Sequence, residues 1–240
     1  MSNQAFKFKE FTVNQDRCAM KIGTDGVLLG AWSSLQHLPE RILDIGTGTG
    51  LIALMLAQRS DAMLIDALEI EENAYEQSVE NFENSDWGDR LFCYHAAFDE
   101  FVEEMQDEEK YDLIISNPPF FSEDYKTGKE NRDQARFADA LPLYDLIKGA
   151  SLLLSENGHF DLIIPFSEEE NAISTAEKFK LFPNKITRVK GTEDSPIKRS
   201  LISFGFEKPN PKTEQLILEI SRHNYTEDFK KLVKDFYLKL

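Results

Sequence analysis

The stretch ILDIGTGTG, residues 42–50, decides the fold. Apolar residues on either side of Asp44 read as the end of a β-strand. A turn carrying Gly46, Gly48 and Gly50 follows, and the apolar run from Leu51 reads as a helix over 51–58. Glycines so spaced let the backbone turn tightly and approach a ligand closely. A strand–turn–helix unit of this kind belongs to an open α/β sheet, where ligands sit at the carboxyl ends of the strands.

Outward from that loop, strand and helix patterns alternate. Residues 41–44, 63–69, 91–96, 111–116 and 159–165 read as strands, with helices over 51–58, 71–84 and 141–155. Such alternation predicts a parallel sheet with helices on both faces. The apolar runs in YDLIIS and HFDLIIP fit strands buried on both sides. Beyond 165 the pattern changes. A helix over 168–179 precedes strands at 186–189 and 200–206, an antiparallel pair joined by a polar turn. Residues 215–220 read as a further strand, and 227–238 as an amphipathic helix with Phe229, Leu232, Val233 and Phe236 on one face. The expected fold is α/β, a Rossmann-like seven-stranded sheet whose last strand is antiparallel. Residues 1–40 are expected as a small extension packing over the site, and 41–240 as one compact domain.

Composition narrows the class. A chain of 240 residues, 41% hydrophobic and 29% charged, is long enough for one large globular domain. No apolar stretch is long enough to cross a bilayer, and MSNQAFKFKEF lacks the apolar core of a signal peptide. Cys18 and Cys93 fit no disulfide framework or metal spacing, which points to a reducing cytoplasm. The four histidines, His37, His95, His159 and His223, show neither metal spacing nor a nucleophile partner, so no metal is expected. A net charge of −16 and a pI near 4.7 exclude a broad, non-specific nucleic-acid surface. They leave room for a local basic patch.

Three ligands suit a glycine turn. A dinucleotide fingerprint starting at Gly46 would need glycine where Leu51 stands, and a phosphate-binding P-loop needs a G-K-[ST] that is absent. The G-x-G-x-G pattern after Asp44, with Glu69 ending the next strand, resembles motif I of the S-adenosylmethionine-dependent methyltransferases. Glu69 stands where a carboxylate reaches the hydroxyls of a ribose. A second signal follows the strand YDLIIS: Asn117, Pro118, Pro119 and Phe120. Two prolines hold the chain rigid and end the ladder. The asparagine side-chain carbonyl and a proline carbonyl offer two acceptors for one amino group. An aromatic amine is a poor nucleophile because its lone pair is delocalised. Holding both its hydrogens turns that lone pair out of conjugation and stabilises the charge that develops on nitrogen. Phe120 can stack on a planar substrate.

N-P-P-F after the fourth strand resembles motif IV of the amino-group methyltransferases, which act on adenine N6, guanine N2 or glutamine amides. Together with FTVNQDRCAMKIGTDGVLLGAW at 11–32, NPPFF and KDFYLK, nearly the whole chain resembles the tRNA1(Val) adenine-N6 methyltransferases. That resemblance implies a methyl transfer to the adenosine beside the anticodon of a valine tRNA, by a monomer acting on the anticodon stem-loop. An rRNA guanine-N2 and a protein glutamine methyltransferase remain as alternatives. The resemblance implies a cofactor site of Asp44, Gly46, Thr47, Gly48, Gly50, Glu69 and Ile70, with Ala97 and Phe98 beside the adenine. It places Lys21, Thr24 and Asp25 on the methionine side. An N-cap for the following helix is the alternative role of Thr24 or Asp25.

Basic and aromatic residues crowd the segment after the tetrapeptide. Phe121, Lys126, Lys129, Arg132 and Arg136 could grip an RNA loop, and Lys198 and Arg199 could join them. The acidic run Glu103, Glu104, Asp107, Glu108 and Glu109 reads as a solvated helix face turned away from RNA. A target base must leave its stack to reach Asn117, which costs least in a single-stranded loop.

Overall fold

The computed structural model describes residues 4–119 and 141–239. A hairpin of β1 (Phe6–Lys7) and β2 (Thr12–Val13) comes first, then α1 (Thr24–Trp32). The αβ alternation runs β3 (Arg41–Ile45), α2 (Leu51–Arg59), β4 (Leu64–Glu69), α3 (Glu72–Glu83), β5 (Leu91–His95), α4 (Phe98–Met105) and β6 (Tyr111–Ser116). It continues with α5 (Leu143–Leu153), β7 (Leu154–Pro165), α6 (Glu169–Lys178), β8 (Phe182–Lys190) and β9 (Ile197–Gly205). The chain closes with β10 (Lys212–Ile217), β11 (Glu219–Ser221), β12 (Asn224–Tyr225) and α7 (Glu227–Val233). No helix among the described residues is long and apolar enough to cross a membrane.

The main sheet has eight strands in the order β10-β8-β9-β7-β6-β3-β4-β5. Strands β3 to β7 are mutually parallel. The pair β8 and β9 is antiparallel, and β9 lies antiparallel between β7 and β8. The seven strands β3 to β9 form the expected Rossmann-like sheet. The eighth, β10, adds parallel to β8 on the outer edge. Its Leu216 turns inward, to 8% exposure, while Gln215 before it is exposed.

Period-2 alternation sorts the core onto two faces. Ile42, Ile65, Leu113, Ile115, Ile163, Leu201 and Val189 face α1, α2 and α7. Leu43, Ile45, Ile114, Leu162, Ile164, Ile202 and Ile186 face α4, α5 and α6. Three local expectations shift. Strand β7 starts at Leu154, directly at the end of α5, and a register shift opposite Tyr111 and Leu113 absorbs residues 155–158. The strand expected over 215–220 breaks at Leu218, whose N–H bonds Lys190 O and whose carbonyl accepts from Thr226. Helix α7 stops at Val233, because the next residues pair with the N-terminal hairpin. The N–H of Lys9 bonds Phe236 O at 2.9 Å, and Phe8 bridges Tyr237.

Gly149 lies inside α5, where alanine would favour the helix by about 1 kcal/mol. A Cβ there would sit 2.4 Å from the Phe98 ring and 2.9 Å from Val102. Packing therefore outweighs propensity. Gly149→Ala is expected to lower stability by about 1–3 kcal/mol, read as a fall in the urea midpoint.

Candidate active site

The carboxyl edge of the sheet gathers the candidate residues. Gly46, Gly48 and Gly50 all take left-handed backbone angles, φ of +72°, +59° and +80°. Side chains rarely tolerate that region. At Gly50 a Cβ would also lie 2.5 Å from the Phe82 ring. The turn is tied to β4, since the N–H groups of Gly46 and Thr47 both donate to Leu68 O. Strand alternation turns Asp44 to the face covered by α2. Its Oδ2 accepts from Thr47 Oγ1 at 2.6 Å. Its Oδ1 is buried without a hydrogen-bond partner among the described residues. Burial pushes the Asp44 carboxyl up to about 7, against the opposing pull of Thr47 and the Ala53 N–H.

Glu69 ends β4 and braces the loop. Its Oε2 accepts the Gly48 N–H at 2.8 Å, and its Oε1 accepts those of Ile70 and Glu71 at 2.9 Å. A carboxylate offers about four lone-pair directions, so three backbone donors leave room for one more. Ile70, directly after it, is 58% exposed at the same edge.

Strand pairing brings the Asn-Pro-Pro corner to the glycine turn. Ser116 is in register with Ile45, and its Oγ donates to Ile45 O at 2.9 Å. Asn117 therefore leaves β6 beside the point where Gly46 leaves β3. Asn117 is half-buried, Pro118 buried and Pro119 exposed. Helix α1 reaches this corner: a Cβ on Gly26 would stand 3.9 Å from Asn117 Nδ2 and 3.2 Å from Leu51 Cδ2.

The remaining candidates divide. Lys21 Nζ donates to the carbonyls of Gln15 and Cys18, so its charge staples the N-terminal segment. Gly23 is the N-cap of α1 and makes no side-chain cap bond, so neither Thr24 nor Asp25 caps it. Asp25 instead pairs with Arg199, Nε to Oδ2 at 2.8 Å, linking α1 to β9. Lys198 is exposed beside it. Ala97 is the N-cap of α4, and the Phe98 ring turns into the core against Gly149. Phe120, Phe121, Lys126, Lys129, Arg132 and Arg136 lie outside the described residues. The acidic residues Glu103 to Glu109 are exposed where α4 returns to the amino end of β6, the opposite edge of the sheet.

Sequence reasoning missed Asn81. Its Nδ2 donates to Thr49 O in the glycine turn and to Asn14 O, while its Oδ1 accepts the Asn14 N–H at 2.8 Å. One turn earlier, Gln77 Oε1 accepts the Arg17 N–H. These two residues clamp the N-terminal segment to α3. The only signal was Gln77 and Asn81 four apart on the face that also carries Ala74 and Phe82.

The chain matches the methyltransferase small domain family over residues 26–179. It is 81% identical over 240 residues to a tRNA1(Val) (adenine(37)-N6)-methyltransferase of Christiangramia forsetii, with all of both chains covered. A protein of the same description from Flavobacterium psychrophilum is 60% identical, covering 98% of this chain and all of the relative. The chain belongs to the tRNA1(Val) (adenine(37)-N6)-methyltransferase family. In three dimensions it resembles a predicted O-methyltransferase from Agrobacterium tumefaciens, with a TM-score of 0.66 and 19% identity. That match covers 88% of this chain and 96% of the other. At that identity the likeness concerns the fold, a methyltransferase sheet.

The residues of this family member fit S-adenosylmethionine. The orphaned Asp44 Oδ1 is a buried acceptor for an ammonium group, and Glu69 retains an acceptor direction for a ribose hydroxyl. An ammonium at Asp44 would favour its ionised form. Affinity for S-adenosylmethionine is thus expected to rise from pH 6 to pH 8 as Asp44 ionises, read by calorimetry; a flat profile would remove Asp44 from the site. The free protein should show the linked effect. Its folded carboxyl lies near 7 against 3.8 when free, so the stability it contributes is full below pH 4 and lost as pH rises through about 7. Relative to Asp44→Asn, the wild type should lose up to about 4 kcal/mol across that window.

Proposed function

We propose that this chain transfers the methyl group of S-adenosylmethionine to N6 of the adenosine beside the anticodon of tRNA1(Val). The names of full-length relatives at 81% and 60% identity support the substrate. One observation carries the chemistry: Asn117 emerges from β6 level with the glycine turn leaving β3. An amino group held at Asn117 therefore lies next to the pocket of Asp44 and Glu69.

When bound, S-adenosylmethionine supplies an activated methyl group on sulfur. The chain does the rest by position. Asn117 Oδ1 and the Pro118 carbonyl accept the two N6 hydrogens and orient the nitrogen lone pair. The same acceptors stabilise the positive charge that grows on nitrogen. The methylated nitrogen is strongly acidic and gives up its proton without a dedicated base. Most of the rate enhancement then comes from alignment. Residues 1–40 close the cofactor side through Asn14, Arg17 and Lys21, while Lys198, Arg199 and the segment after Pro119 receive the anticodon stem-loop. The enzyme acts as a monomer; a tRNA substrate, together with the chain's unbonded Cys18 and Cys93, fits a cytoplasmic site of action.

Methyl transfer from labelled S-adenosylmethionine to unmodified tRNA, followed by nucleoside analysis, tests the reading. N6-methyladenosine is the expected product; N2-methylguanosine or labelled protein would replace it with another substrate. Asn117→Ala is expected to lower kcat by about a hundredfold or more while S-adenosylmethionine affinity stays within about twofold. Unchanged turnover in the same assay would refute the role of the corner.

A further inference from the structure

Strand β7 ends at the same carboxyl edge as the site, and the residue that follows it is aromatic. Phe166 is 37% exposed, immediately after Pro165, which pairs with Arg199 on β9. The Arg188 guanidinium of β8 lies over its ring, 5.4 Å from the centroid. That guanidinium is not free to swing. Its Nε donates to both carboxylate oxygens of Glu169, at 3.1 and 3.2 Å, and its Nη2 to Oε1 at 2.6 Å. Glu169 is itself 4% exposed and also accepts from Ser200 Oγ. Arg188 remains 38% exposed, and its Nη1 takes no part in the bonds to Glu169.

An ion pair serving stability alone gains little from a half-exposed arginine. Here a buried carboxylate orients a guanidinium plane against an exposed aromatic ring, on the rim of a substrate site. Aromatic rings and arginine planes are the surfaces on which unpaired bases stack. Their rotamers are already restricted, so little freedom is lost on binding. Position agrees. Strand β7 is next to β6, and β8 is three strands from it, about 14 Å at the usual strand spacing. Lys190 and Lys198 share this rim with Glu193 and Asp194, exposed in the turn between them, and Arg199 is partly neutralised by Asp25. Glu168 and Glu170 lie beside Phe166 in sequence and dilute the positive charge, which favours stacking over a purely ionic grip.

We propose that Phe166 and Arg188 form a stacking platform for an unpaired base next to the target adenosine, with Arg188 Nη1 offered to its phosphate. This rests on the tRNA reading above. Phe166→Ala should raise KM for tRNA about tenfold, with kcat, S-adenosylmethionine affinity and melting temperature nearly unchanged. Phe166→Tyr should restore KM, and Phe166→Leu, which keeps bulk without a π face, should not. Arg188→Lys keeps a charge for Glu169 but loses the plane, and should also raise KM. A KM for Phe166→Ala within twofold of wild type, or full rescue by leucine, would overturn the platform. A wild-type enzyme that methylates no tRNA would instead sink the substrate reading, and the platform with it.

Discussion

The Ser116 hydroxyl donates to the Ile45 carbonyl, and β3 and β6 therefore end level with each other. Everything chemical depends on that alignment. The glycine turn begins one residue beyond Ile45, and Asn117 begins one residue beyond Ser116. A slip of one residue in the pairing would send every side chain of β6 to the opposite face. Apolar residues on both faces of β6 would tolerate that slip, so the register is held by specific bonds: Ser116 to Ile45 O, and the Tyr111 hydroxyl to the buried Asp66 Oδ2 at 2.7 Å.

The site departs from good packing where a ligand would compensate. Asp44 is fully buried, with one oxygen unpaired among the described residues and its ionisation opposed by burial. Three glycines hold backbone angles that other residues avoid. The unpaired carboxylate oxygen costs stability in the free protein, whereas the glycines take these angles without strain. They make sense beside a cation and a closely approaching cofactor. Glu69 braces the turn through three backbone N–H groups.

Charge is mixed along both edges of the sheet. The chain carries −16 overall, yet the exposed acidic residues 103–109 lie at the amino end of the sheet. Arg188, Lys190, Lys198 and Arg199 lie at the carboxyl end with the site. The rim beside the site also carries Glu193, Asp194 and the acidic partners of Arg188 and Arg199, so contact with RNA there would rest on stacking more than on a cationic field.

Local chemistry was legible in the sequence wherever one short segment carried it. The glycine turn, Asp44, Glu69 and Asn117 each announce themselves through residue type and spacing, because backbone freedom, an acidic partner and a rigid acceptor corner are local requirements. The alternation of strands and helices predicted the sheet for the same reason. Tertiary structure alone decided the rest: β10 joining as an eighth strand, the Asn81 clamp on Asn14 and Thr49, the diversion of Phe98 into the core, and the Asp25–Arg199 and Arg188–Glu169 pairs. Each of these joins positions far apart in the chain or turns on which face a side chain finds. Such contacts arise from packing and leave no periodic trace in the residues that make them.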